Sequence, residues 1–390
     1  MDNYTIANAR VITPMRIIDG GMAAVRDGVL CYVGPYDAAE CCGTVIDAGG
    51  LYLSPGFIDL HTHGGGGHDF MDAVPEAFLG AAKLHAAHGT TCLLPTSLSS
   101  SDEELLGFFD AYRKALPDNG EGAAMPGLHL EGPFFSHAQS GAQDKRYIGP
   151  PEPARYEKIL AAGKGLILRW SAAAELPGAM AFFRRLREEG IFCAIGHSDA
   201  TDDIACEAIE NGCTHLTHLY SAMSGMVRIK SYRYPGLIES AFLFDEMTAE
   251  VIADGCHLPG RMLRHCYRAL GTNRLCLVTD SLRGAGMPDG ESTLGSLKNG
   301  QPCIIEEGVA KLPDRSAFAG SVATADRLVR NMRDLAGAPL TDAVKMMTMT
   351  PARLMGFKKK GVLAPGMDAD MVLFDDGIAV SRTFISRLPK

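Results

Sequence analysis

With 390 residues, the chain is too long for one small domain and suits one large domain with an accessory unit. Hydrophobic residues at 46% and charged residues at 21% are ordinary globular values. A formal net charge of −9 with no compensating basic block excludes a nucleic-acid partner and an anionic membrane surface, while leaving room for a small anionic substrate met by a few gathered arginines.

The start, Met1-Asp-Asn-Tyr-Thr, has no basic region followed by an apolar core, so no secretory signal is expected. No run of 18 apolar residues exists to span a membrane. Eleven cysteines are scattered without a Cys-x-x-Cys pair, which fits small buried thiols in a reducing cytosol. The expectation is a cytoplasmic enzyme.

Residues 4–53 read as short strands. Asp19-Gly20 and Asp27-Gly28 stand between apolar runs, where such pairs signal hairpins. The stretch Ser54-Pro-Gly-Phe-Ile-Asp-Leu-His-Thr-His-Gly-Gly-Gly-Gly67 comes next. Alternate residues of a strand share a face, so His61 and His63 point the same way at the end of an apolar strand. Neutral imidazole is the commonest side-chain metal ligand, and two placed so form half of a metal site. The glycines let the following loop fold back without crowding what binds there.

From here apolar runs of five to eight residues alternate with helical segments, the signature of a parallel sheet with helices outside. The candidate strands end near His63, Pro95, Glu131, Ser171, His197, His218, His257 and Asp280. Val322, Ala325, Leu328, Val329, Met332 and Leu335 form one apolar helix face. The longest irregular stretches are 132–152, 222–246 and 283–320, and long loops in compact domains are usually functional. The end of the chain, from Gly361, again reads strand, turn, strand. The fold class is therefore α/β: a (β/α)8 TIM-type barrel over 54–356, with a small β-sandwich built from both termini, 1–53 and 357–390. Such a barrel carries its active site at the C-terminal ends of its strands.

Those ends carry His61, His63, Glu131, His197, His218, His257 and Asp280. So many imidazoles and carboxylates delivered to one rim suit a divalent metal: zinc, iron, manganese or cobalt. A metal makes hydroxide available near neutral pH, and Asp280 at the end of the last strand is well placed as the proton shuttle beside it. The chemistry read from the residues is metal-assisted hydrolysis.

The same residues resemble the amidohydrolase superfamily, and within it the N-acetylglucosamine-6-phosphate deacetylase family. The resemblance rests on Pro55-Gly-Phe-Ile-Asp-Leu-His-Thr-His, Gly127-Leu-His-Leu-Glu-Gly-Pro-Phe, Gly196-His-Ser, Thr217-His-Leu-Tyr-Ser-Ala-Met, Ile252-Ala-Asp-Gly-Cys-His, Leu277-Val-Thr-Asp and Ala319-Gly-Ser. It implies that Glu131, His197 and His218 hold the principal metal, and that His61 and His63 add a second, with Glu131 bridging. Superfamily members that bridge with a modified lysine need it at the end of the fourth strand, where this chain has Arg169-Trp-Ser.

The implied reaction is deacetylation of N-acetylglucosamine 6-phosphate to glucosamine 6-phosphate and acetate. Asp280, which also touches the metal, acts as general base and then acid, and His257 polarises the acetamide carbonyl. The implied substrate contacts are Ala142, Gln143, Ser221, Ala222, Arg233, His257, Phe318, Ala319 and Gly320. Arg233 reaches the active site of the neighbouring subunit of a homodimer. This chain has Gln143 where the family has histidine, and Ser221 where it has asparagine. Those changes keep open another N-acyl substrate, N-acetylgalactosamine 6-phosphate or an N-acyl-amino acid, and Arg228, Lys230, Lys145 or Arg146 as a rebuilt phosphate site. A non-catalytic scaffold is the alternative of a different class. His129 is read as structural, His68, Asp69, His85 and His88 as lying outside the site, and Trp170 as core.

Overall fold

The computed structural model describes residues 3–386. Among them, eight short parallel strands follow one another around a curled sheet: Phe57–Thr62, Thr90–Pro95, Leu128–Glu131, Ile167–Ala172, Phe192–Ile195, His215–Leu216, Thr248–Ile252 and Leu275–Val278. The last six hydrogen-bond in that order, and the first two pair in parallel. Two contacts close the ring. The Thr96 and His129 backbones bridge in parallel, and the Asp280 N–H donates to the His61 carbonyl at 2.8 Å. Every residue of Phe57–Thr62, Thr90–Pro95 and Leu275–Val278 is buried, as expected of strands covered on both faces.

The helices lie outside, each burying one face. In Asp102–Ala115 the buried residues are Leu105, Phe108, Phe109, Ala111, Tyr112 and Ala115, and Ser101 and Glu104 form a capping box at its start. In Ala325–Asp334 the expected face is buried at Ala325, Leu328, Val329 and Met332. Leu335, expected on that face, lies past the helix end and is exposed. Trp170 is core: it stacks on Phe134, meets Phe182 edge-on, and donates its indole N–H to the Gly132 carbonyl at 2.8 Å.

Both ends of the chain join in one seven-stranded sheet. Met371–Phe374 and Val380–Phe384 continue antiparallel from Tyr52–Pro55, beside Tyr4–Ile12, Ile17–Arg26 and Val29–Pro35. Asp27-Gly28 makes the expected turn, with both residues at positive φ. Asp19-Gly20 does not. It lies inside Ile17–Arg26, where the pairing to Tyr4–Ile12 shifts register, and the chain reverses earlier, with the Thr13 N–H donating to the Arg16 carbonyl. Gly20 is spent on a bulge instead of a hairpin tip.

Two of the three long stretches contain structure that the sequence reading left irregular. The 222–246 region holds an exposed hairpin, Val227–Ile229 with Tyr232–Tyr234, and a helix, Leu237–Leu243. The 283–320 region folds into most of an antiparallel four-stranded sheet, Gly290–Leu294, Gln301–Glu306, Val309–Lys311 and Phe318–Ser321. Asn299-Gly300, just before the second of these strands, was the available hairpin signal.

Candidate active site

His61 and Glu131 stand at the last residues of their strands, and His63, His197, His218 and Asp280 follow one or two residues beyond theirs. His197, His218 and Asp280 have φ of 48°, 30° and 48°, the left-handed region that side chains other than glycine avoid. Backbone hydrogen bonds hold these turns. Ser136 N–H donates to the His197 carbonyl at 2.9 Å, His218 N–H to the Glu250 carboxylate at 3.2 Å, and Asp280 N–H to His61. The side chains are thereby turned inward over the barrel mouth.

There they converge. Glu131 Oε1 lies 3.2 Å from His197 Nε2, 3.0 Å from His218 Nε2 and 3.4 Å from His61 Nε2. Glu131 Oε2 lies 3.3 Å from His63 Nε2. Asp280 Oδ1 is 3.2 Å from His63 Nε2 and 3.5 Å from His61 Nε2. Two ligand-like groups result, His61–His63–Asp280 and Glu131–His197–His218.

The tautomers test whether a metal fits. His61 Nδ1 faces Glu250 Oε1 at 2.8 Å, His197 Nδ1 the Gln139 carbonyl at 2.9 Å, and His218 Nδ1 the Ser221 carbonyl at 3.2 Å. Each partner only accepts, so each Nδ1 carries a proton and, in the neutral ring, each Nε2 a lone pair. Yet His197 Nε2 and His218 Nε2 are 3.2 Å apart, and His61 Nε2 lies 3.3 Å from the Nε2 of His63, the one ring of the four whose Nδ1 has no partner. Lone pairs aimed at one another around a carboxylate need a cation between them, and nitrogen and oxygen donors of this kind suit a divalent ion. Without one, protons are the available positive charge. Burial opposes protonation of His63, but Asp280 and Glu131 outweigh it and raise its pKa to about 9. Burial likewise opposes ionisation of Asp280 and Glu131, and the surrounding histidines hold both carboxyls below their ordinary values.

A buried ion pair supports this arrangement. Arg169 Nη1 lies 2.6 Å from Glu250 Oε2, both side chains fully buried, and Glu250 in turn orients His61. His215, Glu250 and Cys276 form a third ligand-like group, but the guanidinium already supplies its positive charge. His129 is structural, as expected, with Nε2 2.8 Å from Ser171 Oγ. Burial first, then Arg169, keeps its pKa well below the usual imidazole value. His85 sits under the glycine loop with Nε2 donating to the Gly64 carbonyl at 2.9 Å, and burial lowers its pKa to about 4.

Above the ligands lies a cavity of about 380 Å³. It is lined by Ala142, Gln143, Ser221, Ala222, His257, Phe318, Ala319 and Gly320, together with His63, Glu131, His197, His218 and Asp280. Among the described residues no lysine or arginine lines it. Arg233 is not brought to it: it is exposed on the hairpin, as are Arg228 and Lys230. Arg146 is engaged by Asp144. His68, Asp69, His85 and His88 are absent from the lining.

His257 was expected at a strand end, but the strand stops at Ile252 and His257 sits five residues on, in a turn. Asp254 makes that turn, its Oδ1 accepting from the N–H groups of Cys256 and His257 at 2.8 Å each. Its Oδ2 lies 2.8 Å from His257 Nδ1, which leaves Nε2 for the cavity. Asp254, Glu250 and the inward role of Arg169 were not found from sequence. The available signals were a carboxylate three residues before a site histidine, and charges inside otherwise apolar strands.

Comparison with known proteins agrees with this geometry. The model of the amidohydrolase family matches residues 52–388. N-acetylglucosamine-6-phosphate deacetylase of Lysinibacillus sphaericus is 34% identical over 363 residues, 92% of this chain and 90% of that protein. N-acetylgalactosamine-6-phosphate deacetylase of Escherichia coli O157:H7 is 30% identical over 98% of both chains. Among solved structures, N-acetyl-D-glucosamine-6-phosphate deacetylase from Mycobacterium smegmatis, in complex with N-acetyl-D-glucosamine-6-phosphate, superposes with a TM-score of 0.90. It is 30% identical, and the match covers 99% of this chain and 98% of that one.

Proposed function

Because the chain belongs to the amidohydrolase family, we propose that it hydrolyses the acetamide of N-acetylglucosamine 6-phosphate, releasing glucosamine 6-phosphate and acetate. The observation that carries this reading is the ring of His61, His63, His197, His218 and Asp280 around Glu131 at the floor of a cavity sized for one sugar. The residues that would hold metal are Glu131, His197 and His218, with His61, His63 and Asp280. A divalent ion there, zinc in this reading, supplies Lewis acidity and a water acidic enough to ionise near neutral pH. The barrel of 54–356 carries the chemistry, and the sheet that the described residues of the terminal segments, 1–53 and 357–390, share is read as its small β-sandwich companion.

The chain's own groups do the rest. Asp280 accepts a proton from the attacking water at a carboxylate oxygen and returns it to the departing amine nitrogen. His257 Nε2, backed by Asp254, donates to the acetamide oxygen as negative charge gathers there. Phe318, Ala319 and Gly320 line the cavity beside His257, where they would contact the substrate.

Among the described residues, the lining of one subunit has no lysine or arginine for a phosphate. The exposed hairpin carries Arg233, Arg228 and Lys230 amid exposed Met226, Val227, Ile229, Tyr232 and Tyr234. This fits a homodimer, in the cytoplasm, in which Arg233 reaches the neighbour's cavity and grips the phosphate. A second reading, N-acetylgalactosamine 6-phosphate, is favoured by the Escherichia coli relative and by Gln143 and Ser221 in the lining.

The test is primary-amine release by metal-replete enzyme from N-acetylglucosamine 6-phosphate, N-acetylgalactosamine 6-phosphate and unphosphorylated N-acetylglucosamine. Efficient turnover of the first alone supports the proposal. Preference for the second exchanges the substrate, and no turnover of any of the three overturns both readings.

A further inference from the structure

Gln143 lines the cavity, yet its amide is committed elsewhere. It is buried, its Oε1 accepts from the Ser99 N–H at 2.9 Å, and its Nε2 donates to Glu131 Oε2 at 2.7 Å. Ser99 is itself buried at the entry to the next barrel segment, so the amide is held at one end by backbone and aimed at a metal-ligand carboxylate by the other. One carboxylate oxygen is thereby occupied, and Oε1 is left nearest His218 and His197, at 3.0 and 3.2 Å, with His61 farther off at 3.4 Å.

The histidines are unequal in the same direction. His197, His218 and His61 each have an acceptor for Nδ1–H, which fixes the tautomer with the lone pair on Nε2. His63 Nδ1 is buried with no partner. Two carboxylates wait at its other nitrogen, Asp280 at 3.2 Å and Glu131 at 3.3 Å. No acceptor therefore fixes the His63 tautomer that would present a lone pair at Nε2, as one does for the other three rings. Ligation through Nε2 requires the ring proton on Nδ1, where the buried N–H meets no acceptor. The oxygen that faces His63 is also the one that Gln143 occupies.

We propose that Gln143 is a positioning residue for Glu131 that makes the two halves of the metal centre unequal. The Glu131–His197–His218 half binds its ion first and tightly, and the His61–His63–Asp280 half binds a second ion weakly and releases it. This rests on the reading of the site as a metal centre and not on the identity of the substrate. A Gln at this position serves the ligand carboxylate in place of the sugar. Partners beyond the ligands of this kind typically change metal affinity by about 10–100-fold.

The experiment titrates chelator-stripped protein with Co²⁺ alone, followed by its visible absorption and by competition with a chromophoric chelator. The expected result is stepwise binding, with the first equivalent at least about tenfold tighter than the second. In Gln143→Leu the first affinity falls by about tenfold or more and the second holds or tightens. In His63→Ala, which serves also if Gln143→Leu does not fold, the second equivalent disappears and the first keeps its affinity. Two equivalents of equal affinity in the unmodified protein, unchanged affinities in folded Gln143→Leu, or loss of both equivalents in His63→Ala overturn the proposal. No substrate enters the titration, so a wrong substrate assignment leaves its outcome untouched.

Discussion

The Arg169 guanidinium and the Glu250 carboxylate, 2.6 Å apart and fully buried, join the barrel interior to the proposed metal ligands. Burial alone would raise the Glu250 pKa, and Arg169 holds it well below the ordinary value. Glu250 then accepts from the His61 ring and from the His218 backbone. Removing the guanidinium leaves a buried carboxylate without its cation, a loss of about 3–5 kcal/mol. Arg169→Met is expected to lower unfolding free energy by that amount in denaturant titration. Glu250→Gln, which leaves the Arg169 guanidinium buried without its anion, is expected to lose stability on the same scale and, in the protein that still folds, to lower metal affinity by about 10–100-fold.

Asp280 stands beside both His61 and His63 at the cavity floor. Asp280→Asn keeps the shape and loses the proton acceptor. Metal bound by the Glu131 half is expected to stay near one equivalent, while kcat falls by about 10²–10⁴-fold. Metal analysis beside amine-release kinetics checks both; near-normal turnover would remove Asp280 from the chemistry.

His257, with Asp254 2.8 Å behind its Nδ1, is proposed to polarise the acetamide, and its part can be separated from substrate binding. His257→Asn is expected to lower kcat by about 10²–10³-fold, the size of effect seen when one donor to a developing oxyanion is lost. Asp254→Asn should show a smaller loss of the same kind, because the ring remains but its orientation and charge partner do not. Steady-state kinetics with metal content held constant reads the difference.

Arg233 is proposed to serve the neighbouring subunit. Arg233→Ala should raise KM for the phosphorylated sugar by about 10–100-fold, from loss of a charge-assisted bidentate contact, and leave the unphosphorylated sugar unaffected. Mixing this variant with Asp280→Asn supplies a further check. Heterodimers then hold one cavity with both groups intact, and partial activity should return. Absence of recovery in a mixture shown to exchange subunits would place Arg233 outside the neighbour's site.

His85 gives the fold a pH dependence of known sign. Its folded pKa of about 4 lies below the unfolded value near 6.5, so the unfolded chain binds more protons between those limits. Stability is full above pH 6.5, falls as pH drops toward 4, and the loss from this one group is on the order of 3 kcal/mol. His85→Gln should flatten that limb relative to the unmodified protein in denaturant midpoints measured from pH 7 to 4. An unchanged slope would mean that His85 gains a proton without breaking its bond to the Gly64 carbonyl.

Much of the site was legible because strands have a period of two and end abruptly. His61 and His63 declared themselves by spacing. Glu131, His197, His218 and Asp280 stood out as polar groups at the ends of apolar runs. Glu250 and Arg169 did not, because their pairing depends on which strands become neighbours and in what register, and each alone resembles a misplaced charge in a strand. Asp254 escaped because Ile252-Ala-Asp-Gly-Cys-His reads as strand continuing to the histidine, whereas the carboxylate bends the chain there. Asp19-Gly20 misled for the opposite reason: a strong local turn signal was overruled by the pairing on either side of it. The inserted sheet at 290–321 was hidden by short strands of mixed burial, which lack the clean alternation of a half-buried strand.

The hydrogen bond from Asp280 to His61 spans most of the chain, and it bears on when the protein acquires its chemistry. A chain leaving the ribosome exposes His61 and His63 early and Asp280 more than two hundred residues later. The strand Met371–Phe374, which pairs beside the entry to the first barrel strand, emerges later still. A half-synthesised chain therefore offers scattered imidazoles and no formed pocket. On the proposed reading a metal is then captured only late in maturation, and a chain truncated before Asp280 is expected to be inactive.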